Sequence, residues 1–216
     1  VGENYRRLGA AMGFSCENLV CTDQTHTVNL RVVTEEDRGK GFVRPKDYTD
    51  IDGLVTDVPG LVLAAFYADC VPLYLVDPVR RCIGLSHAGW RGTVGKIGKK
   101  TVELMREQYG SRPEDLVAAI GPSICQGCYE VSRDVIEKFQ EAFDERFWPE
   151  LFYEKGGGKY QLNLWRANEL GFLEAGVRAE GIAAAGVCTC CNPGLLFSHR
   201  ASRGRRGNLG AFLMLK

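Results

Sequence analysis

The stretch from Leu61 to Thr93 constrains the fold of this chain more than any other. Within it, one apolar run ends at Asp69-Cys70, a second leads into Asp77-Pro78, and a third ends at His87. These runs predict three β-strands, and the Asp-Pro turn predicts that the last two form a hairpin. The pattern therefore places a thiol and an imidazole at the ends of neighbouring strands.

A second histidine lies in a similar position. His26 is part of a polar segment between two strand-like runs. Two imidazoles and one thiolate form the ligand set of an open zinc site, in which water or substrate takes the fourth position. A histidine taken alone is more often a polar residue with a hydrogen-bond partner than a metal ligand, and it is the pair in similar positions that favours a metal. Spacing by itself leaves both interpretations open.

A second set of cysteines offers another metal site. Cys125-Gln-Gly-Cys128 has CxxC spacing, and Cys188-Thr-Cys190-Cys191 supplies further thiols that would complete a four-thiolate zinc site. The flanking residues are apolar strand ends rather than the tight turns of zinc ribbons. Reduced thiols packed in the interior are therefore the simpler interpretation of this set.

The remaining pattern predicts one α+β domain over residues 1–216, with about nine strands and no internal boundary. Predicted helices cover Glu3–Met12 and Thr93–Tyr109, and two more follow the capping residues Ser132 and Asn163. Besides those in the central stretch, predicted strands include Leu19–Thr22, Val28–Val33, Gly53–Thr56, Leu116–Ile120, Gly181–Val187, Leu196–Ser198 and Leu209–Leu215.

Composition limits the classes of partner. Lys plus Arg and Asp plus Glu both number 27, so charge predicts neither nucleic-acid nor membrane binding. No apolar stretch reaches the ~18–20 residues of a membrane span. Nine cysteines without a signal peptide predict a cytoplasmic protein with reduced thiols. A basic cluster from His199 to Arg206 suits a bound phosphate or carboxylate, or is a solvated loop.

Five motifs, in order along the chain, resemble those of the YfiH/YlmD family, also called the laccase-domain or multicopper polyphenol oxidase family. They are Gln24-Thr-His26, Ala68-Asp-Cys-Val-Pro72, His87-Ala-Gly-Trp-Arg-Gly92, Ile120-Gly-Pro-Ser with Cys128-Tyr-Glu-Val131, and Phe197-Ser-His-Arg200. The third motif is the most specific. Relatives carry a further N-terminal segment with a Gly-rich motif, which this sequence lacks.

The resemblance implies an α+β fold with a sandwich-like core of mixed sheets between helices. It implies a zinc ion bound by His26, Cys70 and His87, with copper as a weaker option. The expected activities are phosphorolysis of adenosine, inosine and methylthioadenosine, and deamination of adenosine. The expected partners are therefore a purine nucleoside and phosphate.

Further roles follow from this chemistry. Phosphorolysis uses a phosphate anion, which cationic side chains would bind. Arg91 is one candidate for this role, and Arg200 together with Ser198 is another. Gln24 is a candidate for substrate binding. Asp69 and His199 are candidate proton donors, although Asp69 is adjacent to Cys70 and so should point to the opposite face of a strand.

Three other functions remain open. Cys70 activated by a histidine would make an amide hydrolase. A catalytically silent metal-binding or redox accessory protein is a second alternative. A copper-dependent polyphenol oxidase is the third, and three histidines in the whole chain are too few for a multicopper cluster.

Overall fold

The computed structural model describes residues 2–216. Its α-helices are α1 (Gly2–Met12), α2 (Trp90–Val94), α3 (Ile97–Tyr109), α4 (Arg133–Ala142), α5 (Trp148–Leu151) and α6 (Leu164–Glu174). Its strands are β1 (Leu19–Cys21), β2 (Leu30–Val32), β3 (Gly53–Thr56), β4 (Val62–Tyr67), β5 (Val71–Asp77), β6 (Cys82–Ala88), β7 (Val117–Ile120), β8 (Glu130–Ser132), β9 (Phe152–Gly156), β10 (Lys159–Leu162), β11 (Ile182–Ala184) and β12 (Leu209–Met214). Among these residues, no helix combines the length and the apolar character that crossing a membrane requires.

A six-stranded mixed sheet, in the order β11-β7-β5-β6-β3-β2, forms the centre of the molecule. The predicted hairpin is confirmed, because β5 and β6 pair antiparallel from Val71 opposite Ala88 to Asp77 opposite Cys82. The Asp77 carboxylate accepts the amides of residues 79 and 80, each at 2.9 Å, which closes the turn. This hairpin sets the register in which His87 lies opposite Pro72.

Both faces of the central sheet are covered. A three-stranded sheet, β1-β4-β12, packs on one face through a buried apolar cluster that includes Leu54, Leu63 and Leu85. Helices α3 and α6 cover the other face through a cluster that includes Leu73 and Phe172. Every residue of β6 is consequently buried. The α+β class with a sandwich-like core between helices is confirmed.

The helix predicted over Thr93–Tyr109 is divided into two. Helix α2 starts earlier, at Trp90, and ends at Val94. Lys96 then adopts a left-handed conformation with φ of 57°, which interrupts the helical hydrogen bonds before α3 begins. Apolar periodicity does not report such a break, because the buried side chains continue in phase on either side of it.

One predicted strand is absent from the structure, and another is shorter than predicted. Residues 196–198, predicted as a strand, lie in a turn-rich segment, and β11 covers only Ile182–Ala184 of the predicted Gly181–Val187. The prediction also missed a small sheet, β8-β10-β9, around the glycine loop 156–158. Strand β9 is almost entirely exposed and so carries no apolar alternation.

The two predicted helix caps behave differently. The Asn163 side chain accepts the amide of Arg166 at 3.1 Å at the start of α6, as predicted. Ser132 precedes α4 as predicted, but its hydroxyl bonds to the carboxylate of Asp134 instead of capping a backbone amide.

Candidate metal centre

The fold brings His26, Cys70 and His87 together. Cys70 lies in the turn between β4 and β5, His87 lies near the end of β6, and His26 lies in the loop after β1. One ligand atom from each residue falls within 4.8 Å of the other two. The Cys70 sulfur is 3.8 Å from His26 Nε2, and the two imidazole rings are 4.9 Å apart at an angle of 76°.

These separations fit a single tetrahedral ion. Bonds of about 2.3 Å to sulfur and about 2.0–2.1 Å to nitrogen place a sulfur and a nitrogen ligand about 3.6 Å apart in a tetrahedron. The sulfur-to-nitrogen distance of 3.8 Å between Cys70 and His26 is close to this value. The donor set therefore matches zinc in both chemistry and spacing.

Asp52 organises the two histidines, and the sequence analysis missed it. This fully buried residue lies just before β3. Its carboxylate accepts the backbone amides of residues 25, 26 and 27 at 3.0, 3.2 and 2.9 Å. These bonds hold the loop around His26, whose φ of 66° is left-handed. A buried aspartate before a strand carries no sequence signal that separates it from other acidic residues.

The same carboxylate orients His87. Asp52 Oδ1 is 2.8 Å from His87 Nδ1, so the Nδ1 proton is donated to Asp52 and Nε2 is left as the metal-binding atom. Histidines that bind metals usually donate their second nitrogen to a carboxylate or carbonyl in this way. The pair is almost fully buried.

The three ionisable groups polarise one another. Burial alone would raise the pKa of the Cys70 thiol, but the hydrogen bonds and charges of His26 and His87 outweigh it and lower this pKa to about 6. Burial would lower the pKa of His87, whereas Asp52 and Cys70 raise it to about 9. Despite its own burial, Asp52 has a lowered pKa because His87 and the loop amides stabilise its charge. In the metal-free site Cys70 is therefore a thiolate and His87 an imidazolium at neutral pH, and a metal ion would displace the Nε2 proton of His87.

Gly89 has no side chain, and this leaves space for the three ligand residues to meet. A Cβ atom at this position would lie 2.8 Å from His26 Cδ2 and 3.2 Å from the Cys70 sulfur. The first distance is shorter than carbon atoms tolerate without displacement. The glycine of the His-Ala-Gly motif is thus a spatial requirement of the site.

The three residues form part of the wall of a cavity of about 290 Å³. The other lining residues are Gln24, Phe66, Tyr67, Ala68, Arg206 and Asn208. Gln24 was predicted from sequence, but its amide is already bonded to the backbone of Phe66 and to Thr22. Arg206 and Asn208 bond to each other. Arg206 belongs to the basic cluster that the sequence offered for a bound anion but was not singled out there, and Asn208 was not predicted.

Five other residues proposed from sequence do not line this cavity. The Asp69 carboxylate accepts the Thr189 hydroxyl at 2.6 Å and the Arg200 amide at 2.7 Å. Ser198 is buried and accepts the amide of residue 201 at 3.0 Å, which makes it a turn residue. His199 is exposed in the same turn.

The remaining two are arginines that lie against aromatic rings. The Arg91 guanidinium is 4.4 Å from the centre of the Trp90 ring. Arg200 donates to the carbonyl of Glu130 at 2.9 Å, and its guanidinium lies 5.3 Å from the centre of the Tyr129 ring. Burial and the nearby Cys70 raise the pKa of the Tyr129 phenol, while Arg200 and Arg91 partly oppose this rise. The phenol therefore has the thiolate and both arginines within electrostatic range.

The chain is similar in sequence and in fold to proteins of known name or structure. The chain is 39% identical over 217 residues to purine nucleoside phosphorylase YlmD of Geobacillus stearothermophilus, covering 99% of this chain and 78% of that protein. It is 37% identical to adenosine deaminase RL5 from an unknown prokaryotic organism, covering 89% of this chain and 73% of that protein. The crystal structure of Bacillus licheniformis protein YfiH superposes with a TM-score of 0.94 at 36% identity, covering all of this chain and 81% of that one.

A family model described as multi-copper polyphenol oxidoreductase laccase matches residues 1–216. The match spans the whole sequence, and the structural similarity to YfiH extends over the same length. The chain therefore belongs to this laccase-domain family.

Proposed function

We propose that this chain is a zinc-dependent purine nucleoside enzyme, which cleaves adenosine, inosine and methylthioadenosine with phosphate and deaminates adenosine. One observation carries the proposal: the donor atoms of His26, Cys70 and His87 converge within 4.8 Å on the wall of a cavity. Relatives named purine nucleoside phosphorylase and adenosine deaminase support the choice of substrate class.

Zinc fits this site better than copper. Two imidazoles and a thiolate suit both metals, but a blue-copper centre adds a weak axial ligand, commonly methionine. Among the described residues no methionine lines the cavity. Gln24, which could serve instead, has its side-chain oxygen already accepting from the Thr22 hydroxyl and the Phe66 amide. A multicopper site would also need more histidines than the three in the chain.

The chain's own residues prepare the site for this chemistry. A zinc ion held there would supply Lewis-acid catalysis, which polarises an oxygen group and promotes loss of its proton near neutral pH. Asp52 holds the tautomer of His87 and, through the loop amides, the position of His26. Cys70 contributes a negative charge that is already formed at neutral pH.

Three arginines are candidates for phosphate binding. Arg206 lies on the cavity wall, Arg91 lies over the Trp90 ring and Arg200 over the Tyr129 ring. A guanidinium offers two parallel donors to phosphate oxygens. We place Arg206 first because it alone of the three lines the cavity, and Arg91 and Arg200 remain candidates as proposed from the sequence.

Proton donation to the leaving group is assigned to Asp69 or His199. The Asp69 carboxylate would have to leave Thr189 and the Arg200 amide to act as an acid. His199 is exposed and free of that constraint. Replacing each in turn by Asn distinguishes the two, because only the true donor should change the pH profile of turnover.

The direct test follows adenosine by chromatography, with and without phosphate. Adenine with ribose 1-phosphate, formed only when phosphate is present, indicates phosphorolysis. Inosine with ammonia, formed without phosphate, indicates deamination by water. Cys70→Ala should abolish both, whereas Cys16→Ala, at a partly buried cysteine that does not line the cavity, should retain them. Wild-type protein that carries zinc and forms neither product contradicts the proposal.

A second candidate function rests on the ionised thiol. The thiolate of Cys70, with His26 Nε2 at 3.8 Å, also resembles the nucleophile of a cysteine hydrolase acting on amides. This activity would survive removal of metal by a chelator and be lost on alkylation of Cys70. Zinc-dependent activity shows the opposite response to the chelator, so one experiment separates the two.

A further inference from the structure

A second set of sulfur atoms converges at another place in the fold. It consists of Cys125, Cys128, Cys188 and Cys191, none of which lines the cavity, and all four sulfurs lie within 4.8 Å of one another. The Cys128 and Cys191 sulfurs are 3.4 Å apart, and those of Cys125 and Cys191 are 4.0 Å apart. A tetrahedral ion with metal–sulfur bonds of about 2.3 Å requires separations of about 3.8 Å.

The local backbone matches that of a metal-binding turn. The four residues form two CxxC pairs, one before β8 and one after β11. The amides of Cys125 and Cys191 both point at the Cys188 sulfur, at 3.2 and 3.4 Å. Amide donors of this kind stabilise negative charge on a ligating sulfur. Cys190 lies between two members of the set but does not belong to it.

The cluster joins a long irregular segment to the rest of the fold. Residues 185–208 contain no helix or strand, apart from a single bridge between Cys188 and Ser123. Segments longer than about 12–15 residues without secondary structure are uncommon in compact domains. This segment nevertheless places the Thr189 hydroxyl and the Arg200 amide on Asp69, the neighbour of Cys70. It therefore needs an anchor other than strand pairing.

We propose that Cys125, Cys128, Cys188 and Cys191 bind one structural zinc ion that anchors residues 185–208. Four thiolates close the coordination sphere, so this site has no open position for substrate. The sulfur separations suit a single ion, since a polynuclear iron–sulfur cluster places metals and sulfides between its cysteines and spreads them further apart. The ion links the turn before β8 to the segment that positions Thr189 and Arg200.

The first test uses the native full-length chain, purified under reducing conditions. Cysteines are alkylated with and without prior treatment with a zinc chelator and are mapped by mass spectrometry. Zinc should protect all four cluster cysteines, including the exposed Cys191, and the chelator should make them reactive. Cys16, partly buried in a different part of the fold, should react independently of zinc. Equal reactivity of Cys191 before and after chelation overturns the proposal, as does a disulfide within the cluster.

The second test counts metal. Cys128→Ser should carry one zinc fewer per chain than wild type, and Cys190→Ser should carry the same number. The cobalt-substituted wild type should show strong thiolate-to-cobalt absorption, most of which should persist in Cys70→Ala. In Cys128→Ser this absorption should fall to the contribution of the single thiolate of Cys70. Unchanged zinc in Cys128→Ser refutes the proposal. If that variant does not fold, the alkylation experiment on the native chain decides alone. Neither readout depends on nucleoside turnover.

Discussion

Replacing Asp52 by Asn tests the organisation of the metal centre. Asp52 Oδ1 accepts from the His26 amide and His87 Nδ1, while Oδ2 accepts from the amides of Thr25 and Thr27 and the Thr27 hydroxyl. An asparagine must turn its NH₂ group toward one of these two sets of donors. The less costly choice faces His26 and His87, because His87 can move its proton to Nε2 and accept at Nδ1.

The structure sets the expected size of the effect. One partly buried amide, that of His26, loses its acceptor, which costs about 1 kcal/mol of unfolding free energy, the lower end of the range for a buried group. The new His87 tautomer carries a proton on the atom that should bind zinc, and loss of such an orienting partner typically weakens metal binding by about 10–100-fold. We therefore expect the zinc dissociation constant to rise by about that factor, or about 1.4–2.7 kcal/mol.

Competition with a chromophoric chelator measures the affinity, and urea unfolding of the zinc-free protein measures the stability. The control is Asp50→Asn, an exposed residue two positions earlier whose left-handed φ of 56° asparagine tolerates. The pKa of Asp52 is lower in the folded protein than its value of about 3.9 in the unfolded chain, so the ionised carboxylate stabilises the fold above about pH 3.9. This stabilisation is lost as the pH falls through the pKa of Asp52 in the folded protein. The stability gap between wild type and Asp52→Asn should thus narrow below about pH 4. Wild-type zinc affinity in Asp52→Asn would refute the reasoning.

Three further predictions test the site and the fold. Gly89→Ala should weaken zinc binding, measured by chelator competition, because its Cβ would lie 2.8 Å from His26 Cδ2. Gly194→Ala, which has open space around its Cβ, should bind zinc as tightly as the wild type. In zinc-free protein the alkylation rate of Cys70, followed by mass spectrometry, should reach half its maximum near pH 6, and zinc should suppress this alkylation. Cys82 is the control, because it is buried, its pKa is raised to about 11 by burial, and it should stay unreactive. Gly171→Ala in α6 has room for a methyl group and should add about 0.5–1 kcal/mol to the unfolding free energy, measured in urea; a loss would contradict the open space.

The sequence predicted the parts of this fold that depend on apolar patterning. The runs that became β4, β5 and β6 are fully or mostly buried, and the Asp77-Pro78 turn joined the last two as expected. This hairpin alone places Cys70 and His87 near each other. The association of His26 with them was predictable only as a hypothesis, because it depends on a loop that Asp52 holds in place.

Other features depend on contacts that sequence patterns do not encode. The break at Lys96 leaves the apolar phase of α2 and α3 intact. Asp69 lies in a turn with φ of 82°, outside any strand, so the alternation of strand faces did not apply to it. Arg206 lines the cavity although it belongs to a segment without regular structure. The convergence of the four cysteines likewise depends on a crossing of distant chain segments.

Zinc bound by His26, Cys70 and His87 is proposed to be required for nucleoside turnover. The most direct measurement removes all metal from the protein, adds zinc back in steps, and follows the loss of adenosine in phosphate buffer. We expect no turnover without metal, recovery as zinc is added, and no recovery at any zinc concentration in Cys70→Ala. Full turnover by metal-free protein, or by Cys70→Ala, would show that zinc at this site is not required.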